Sequence, residues 1–245
     1  MSQIFIYVMS SKHRNAESLG EYSPFVAPLP QLDTTASALL NIAHIAHIAE
    51  KILPEAAFEF SHGASQEANY LGGGLLYYTL PYMMRAKICV CLGSGGAFVP
   101  RLMRQAQRDL GLAAHTRTIL VDGDKGTYGR PNWTDEASFL RQHYSDVEIM
   151  LMDTADAAIS LAAVGQRIDY LHIDADHSLE GSLADFNRYL PLMNPGALVT
   201  FHDTRPNAHP AVTCWQAVDY IKALGFEVLN LGQVGNGVAI IKIDR

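Results

Sequence analysis

Positive charge is scarce in this chain. Its 245 residues hold 18 Lys and Arg against 25 Asp and Glu, a net charge of -7. That balance lacks the basic surface on which nucleic-acid binding relies, so no nucleic-acid partner is expected. Cysteine is rare as well, with 3 residues, two of them alternating at Cys89 and Cys91. An odd, sparse set is no disulfide framework and suits a reducing compartment, which makes the cytoplasm the expected location. Long apolar runs are missing. Residues 71 to 84 come nearest, but Gly72, Gly73, Gly74 and Pro81 interrupt them and Arg85 and Lys87 follow. That falls short of the roughly 20 residues of a membrane helix. No charged-apolar-small leader opens the chain, so no membrane partner is expected. What remains is 49% hydrophobic content, enough at this length for one enzyme-sized core or two small domains.

The pattern along the chain decides between these. Residues 3 to 9 have the character of a short strand, and residues 10 to 33 are polar and proline-containing. Thr34 or Thr35 is placed to cap a helix over about 36 to 52, which Pro54 ends, and residues 65 to 84 form a second helical region loosened by the glycine triplet. From Lys87 onward strands and helices alternate. Strands are expected at 87 to 92, 117 to 122, 147 to 152, 168 to 173, 197 to 202, 226 to 231 and 237 to 243. Helices are expected near 97 to 111, 134 to 143, 155 to 164, 179 to 190 and 212 to 224. This is an α/β chain with a doubly wound, mostly parallel, seven-stranded Rossmann-like sheet. Gly232 to Asn236 is too short for a parallel crossover, so the last two strands form an antiparallel hairpin. The expected division is an N-terminal extension over 1–69, a lid or dimer contact, and one domain over 70–245.

Polar clusters stand at the strand ends. Ile168 to Ile173 runs into Asp174-Ala-Asp176-His177, and Ala197 to Phe201 runs into His202-Asp203-Thr204, with a helix and the turn Pro195-Gly196 between. In an open α/β sheet ligands lie beyond the carboxyl ends of the strands, so both clusters should face one crevice. Earlier in the chain, Leu92-Gly93-Ser94-Gly95-Gly96 makes a glycine-rich turn between strand and helix, where a ligand can approach backbone amides. Phe98 stands where the dinucleotide fingerprint needs its third glycine. Asp122 ends the second strand and is placed to accept hydrogen bonds from ribose hydroxyls, with Asp124 as competitor. Asp153 ends the third strand, either to meet an adenine or to cap the next helix, and Asp176 is a cap for the helix after it or an outer acceptor. His44 and His47, one helical turn apart, are more economically a solvated pair than metal ligands. Residues 123 to 134 and Tyr77, Tyr78 and Tyr82 are candidates for a substrate wall or for ordinary surface and core.

Taken together, LGSGG, Asp122, the MDT at 152 to 154, HIDADHSLEG and NPGALVTFHD resemble a class I S-adenosylmethionine-dependent methyltransferase over about residues 70 to 245. Within that superfamily the D-x-D-H and HD pair is similar to the branch that includes macrocin-type sugar O-methyltransferases and many uncharacterised bacterial proteins. The strand-end acids are also similar to those of metal-dependent catechol and caffeoyl-CoA O-methyltransferases. Two positions depart. Cys91 stands where the family usually has an acid for the cofactor's amino group, and Thr204 stands where the catechol group has a metal-binding Asn.

The resemblance implies S-adenosylmethionine as cofactor, held by Gly93, Ser94, Gly95, Asp122, Asp153 and Asp174. It implies transfer to a small-molecule hydroxylated acceptor, a sugar or natural-product intermediate. His177 would be the general base, beside Asp174 and Asp203. A hard cation, Mg2+ foremost, would take oxygen ligands from Asp174, Asp203 and Thr204, with His202 in support; a metal-free enzyme would use the same acids for positioning. Three other readings stay open: a methyltransferase fold without methyl transfer, as in hydroxylase-associated relatives; a partner or homo-oligomer module; and a nicotinamide oxidoreductase, weakened by Phe98 and the hairpin.

Overall fold

The computed structural model describes residues 61–63, 71–123, 132–206 and 209–244. The expected N-terminal strand, the helix over 36–52 with His44 and His47, residues 65–70, and Asp124 with the following loop residues to 131 lie outside the described residues.

Seven strands form one sheet: β1 Ile88–Leu92, β2 Arg117–Asp122, β3 Glu148–Leu151, β4 Ile168–Ile173, β5 Met193–His202, β6 Val228–Leu231 and β7 Val238–Lys242. Their spatial order is β3-β2-β1-β4-β5-β7-β6. Neighbours from β3 through β5 pair parallel, whereas β7 runs antiparallel to both β5 and β6. The chain moves outward from β1 to β2 and β3, then returns to the other side of β1 as β4. The crevice between β1 and β4 is therefore the topological switch point.

Helices α1 Gly74–Met84, α2 Phe98–Asp109, α3 Phe139–His143, α4 Thr154–Ala163, α5 Leu179–Tyr189 and α6 Cys214–Ala223 cover the sheet. One face packs Val90, Leu92, Val121, Leu171, Ile173, Val199 and Phe201 against α4, α5 and α6 through Leu161, Phe186 and Ile221. The other packs Cys89, Cys91, Leu120 and Tyr170 against α1 and α2 through Tyr77, Phe98, Leu102 and Met103. The glycine triplet serves this second layer. A Cβ at Gly74 would stand 2.5 Å from the Phe98 ring, so a side chain there would force α1 away from α2.

Most expected elements lie within a residue or two of the observed ones; three differ. Pro195 and Gly196 lie inside β5 rather than in a turn before it, and the β4–β5 register shifts between Ile168 and Tyr170 to accommodate them. The helix expected over 134–143 is only α3, because Ser138 caps it by accepting the Arg141 N–H. The helix expected from residue 65 begins, among the described residues, at Gly74.

Candidate active site

The glycine loop after β1 and the acidic turn after β4 meet at the switch point. Gly93 has φ +70°, and a Cβ on it would lie 2.4 Å from the Asp174 carbonyl oxygen. Only glycine lets these two segments touch. Across the loop, the Ser94 N–H donates to Asp122 Oδ2 at 3.1 Å, which joins the tip of β2 to that of β1. Burial pushes the Asp122 carboxyl up to about 6, against the N–H groups of Ser94 and Gly123 that favour its charged form. The Ser94 hydroxyl is buried without a hydrogen-bond partner. Beside it, the Cys91 thiol donates to the Gly93 carbonyl at 3.2 Å. Burial, followed by the nearby Asp174 and Asp122, raises that thiol well above its usual range, so it stays neutral. Gly93, Ser94, Gly95 and Asp122 thus line one loop. Asp153 occupies the N-cap position of α4, exposed, with no side-chain cap hydrogen bond.

Asp174 is the hub of the second half. Its Oδ1 lies 3.1 Å from His202 Nδ1 and 3.3 Å from His177 Nε2, and its Oδ2 lies 3.8 Å from His172 Nε2. Burial by itself would raise this carboxyl. The His202 charge and the surrounding imidazole donors overcome that and hold it well below the usual carboxylate range. His177 Nε2 also lies 3.6 Å from Asp203 Oδ2, so this imidazole bridges the two expected acids. Burial disfavours its charged form, but Asp174 and Asp203 more than compensate and raise its pKa. Asp203 takes φ 56°, and its Oδ1 is buried without a hydrogen-bond partner.

His202 is more than a support. Its Nε2 donates to the Ser61 carbonyl at 3.1 Å while its Nδ1 faces Asp174. Both partners can only accept, so both nitrogens carry hydrogen and the ring is an imidazolium. Burial opposes this, yet Asp174 and then Asp203 lift its pKa to about 9. The Ser61 carbonyl accepts the Asn236 N–H as well, at 2.6 Å, which pins residues 61–63 to the hairpin turn.

Asp174, His177 and Asp203 therefore come together as the sequence pattern implied. Thr204 does not join them in the same way: its hydroxyl donates to Asn230 Oδ1 on β6 at 2.8 Å. Asp176 is a correction too. Ser178 is the N-cap of α5, and Asp176 Oδ1 accepts the Ser178 N–H just ahead of it. Its carboxylate lies where a Cβ on Gly181 would fall, 2.1 Å away. The sequence reading missed His62 and His172. His172 carried a signal, a polar residue two positions from both Tyr170 and Asp174 in a strand whose one acidic residue, Asp169, stands near its start. His62 carried none, since it reaches the site only through tertiary packing. Its ring lies 4.0 Å from that of His202, centroid to centroid.

Residues 90–204 match a family model described as a methyltransferase domain. No curated protein matches the chain in sequence. Among solved structures, the chain is similar to the O-methyltransferase TomG from Streptomyces achromogenes, involved in tomaymycin synthesis and solved with SAM. The TM-score is 0.58 at 16% identity, over 85% of this chain and 90% of that one. An O-methyltransferase from Bacillus cereus in complex with SAH gives 0.57 at 15% identity, covering 87% and 93%. A methyltransferase from Geobacter sulfurreducens gives 0.57 at 19%, covering 82% and 88%. At such identities the likeness is one of fold, and the mixed sheet with its C-terminal antiparallel hairpin is that shared fold.

Proposed function

We propose that this methyltransferase uses S-adenosylmethionine to methylate a hydroxyl oxygen of a small acceptor, a sugar or natural-product intermediate. The observation that carries the reading is the adjacency, at one switch point, of a ribose-ready acid behind a glycine loop and an imidazole held between two carboxylates. Asp122, when ionised, accepts from both ribose hydroxyls. The buried Ser94 hydroxyl, beside the Cys91 thiol, is placed to meet a polar group of the same ligand. Cys91 cannot serve the cofactor's amino group as an acid would, because its thiol is neutral. The cofactor, when bound, supplies an electrophilic methyl group on a sulfonium.

His177 performs the proton transfer in this scheme. The His177 imidazole takes the acceptor's hydroxyl proton, and Asp174 and Asp203, which flank its Nε2, stabilise the imidazolium that results. Asp174 Oδ1 is also held by His202 Nδ1, which fixes the orientation of the carboxylate against His177.

The donor set does not fit Mg2+. That ion requires near-octahedral oxygen ligands, whereas the Asp174 oxygens are flanked by imidazole nitrogens and the Thr204 hydroxyl is turned to Asn230. No step is assigned to it. A cytoplasmic location accords with free thiols at Cys89, Cys91 and Cys214. No helix among the described residues is long and apolar enough to cross a membrane.

Isothermal titration with S-adenosylhomocysteine tests the first half of this reading. The wild type should bind and Asp122→Ala should bind far more weakly; absence of binding to the wild type would overturn it. With an acceptor in hand, His177→Ala should lower kcat by about 10²–10⁴, the usual worth of a positioned base, while leaving cofactor affinity in place.

A further inference from the structure

We infer that His62, His202 and Asp174 form a binding site for a divalent transition-metal ion, a site that shares Asp174 with the proposed methyl-transfer machinery and differs from the oxygen set implied by the resemblance. The donor atoms of these three residues all lie within 4.8 Å of one another. Donors on one zinc-like ion at roughly 2.0–2.1 Å stand at most about 4.2 Å apart, so closing the triad takes side-chain shifts of under about an ångström.

The hydrogen bonds around the cluster carry the inference further than the clustering does. A metal-bound histidine almost always donates its other ring nitrogen to an outer partner, which fixes tautomer and orientation. His202 donates Nε2 to the Ser61 carbonyl, leaving Nδ1 toward Asp174. The Nδ1 of His62 is engaged by the Tyr77 hydroxyl at 3.2 Å, leaving Nε2 as the ligating nitrogen. His172 repeats the pattern, with Nδ1 against Thr200 Oγ1 at 2.9 Å and Nε2 directed at the same carboxylate. That Nε2 is fully buried and has no hydrogen-bond partner, an independent sign of a group unsatisfied by protein alone. An ion at the triad takes the place of the proton that otherwise sits between His202 and Asp174. Two imidazoles and one carboxylate suit a first-row ion such as Zn2+ or Fe2+, and suit Mg2+ poorly.

Co2+ is the probe, added to full-length protein stripped by chelator. Expected is stoichiometric uptake with a visible d–d band that persists in His44→Ala/His47→Ala and in Asp203→Ala. The band should be lost in His62→Ala and in His62→Gln, the latter keeping the side chain's bulk should alanine impair folding. Tyr77→Phe should weaken binding about 10–100-fold, the usual cost of removing an outer partner of a metal-bound histidine. S-adenosylhomocysteine affinity, measured in parallel, should match wild type in both His62 variants. That separates failure of this site from failure of the methyltransferase reading. No Co2+ band in the wild type, a band that survives loss of His62, or one abolished by Asp203→Ala overturns the assignment.

Discussion

The two faces of the sheet are built on opposite principles although the same strands make both. On one, Leu171, Ile173, Val199 and Phe201 meet α4, α5 and α6 in a wholly apolar core. On the other, Tyr170, His172, Thr200 and His202 occupy the alternate positions of β4 and β5, all buried. There Thr200 Oγ1 contacts the Tyr170 hydroxyl at 3.0 Å and His172 Nδ1 at 2.9 Å. The apolar face tolerates any good packing. The polar face depends on its pairings, since a buried donor that loses its partner costs about 1–3 kcal/mol. The difference shows where the fold is held together and where it is put to use.

Substitutions should separate the faces. Asp174→Asn would leave the His202 charge buried without its main partner, and breaking a buried pair in this way costs about 3–5 kcal/mol. Chemical denaturation should show that loss together with loss of activity. On the apolar face, Leu171→Ala should destabilise by about 2–5 kcal/mol through cavity formation, with S-adenosylhomocysteine affinity unchanged once the protein is folded. A drop in affinity as large as that from Asp122→Ala would blur the distinction.

The cofactor half sharpens the comparison through pH. Because the Asp122 carboxyl is raised to about 6, cofactor affinity should climb as pH rises through 6 and weaken about tenfold per unit below it. Asp122→Asn should flatten the profile. The sign for stability is opposite: folding takes up a proton at this group, so its contribution is greatest at acid pH and declines as pH rises from about 4 to 6. The smallest effect is expected for Thr200→Val, which keeps shape but removes the hydroxyl shared by Tyr170 and His172. A loss of about 1–2 kcal/mol in thermal or denaturant unfolding would fit.

The apolar face was the legible one. Periodicity alone placed Arg117–Asp122 and Ile168–Ile173, and loop length required the antiparallel hairpin. Asp122, Asp174, His177 and Asp203 were legible because strand ends in such a sheet converge. Pro195 and Gly196 misled, since a register shift lets β5 absorb residues that local chemistry assigns to a turn. The partners of the acids were hidden for a different reason. Ser61 and His202 are 141 residues apart, and nothing local to a Ser-His-Gly segment marks it as the wall of a site built by β5.

Asp203 stands in the left-handed region at φ 56°, which glycine enters freely and which asparagine and aspartate tolerate better than other side chains. Of the residues at the end of β5, it is the one whose backbone would gain from becoming glycine. Such a change would relax the chain by about 1 kcal/mol while deleting a carboxylate from His177. The backbone at the end of β5 thus bears a cost that glycine would avoid, and what it gains in return is a carboxylate 3.6 Å from the His177 ring nitrogen.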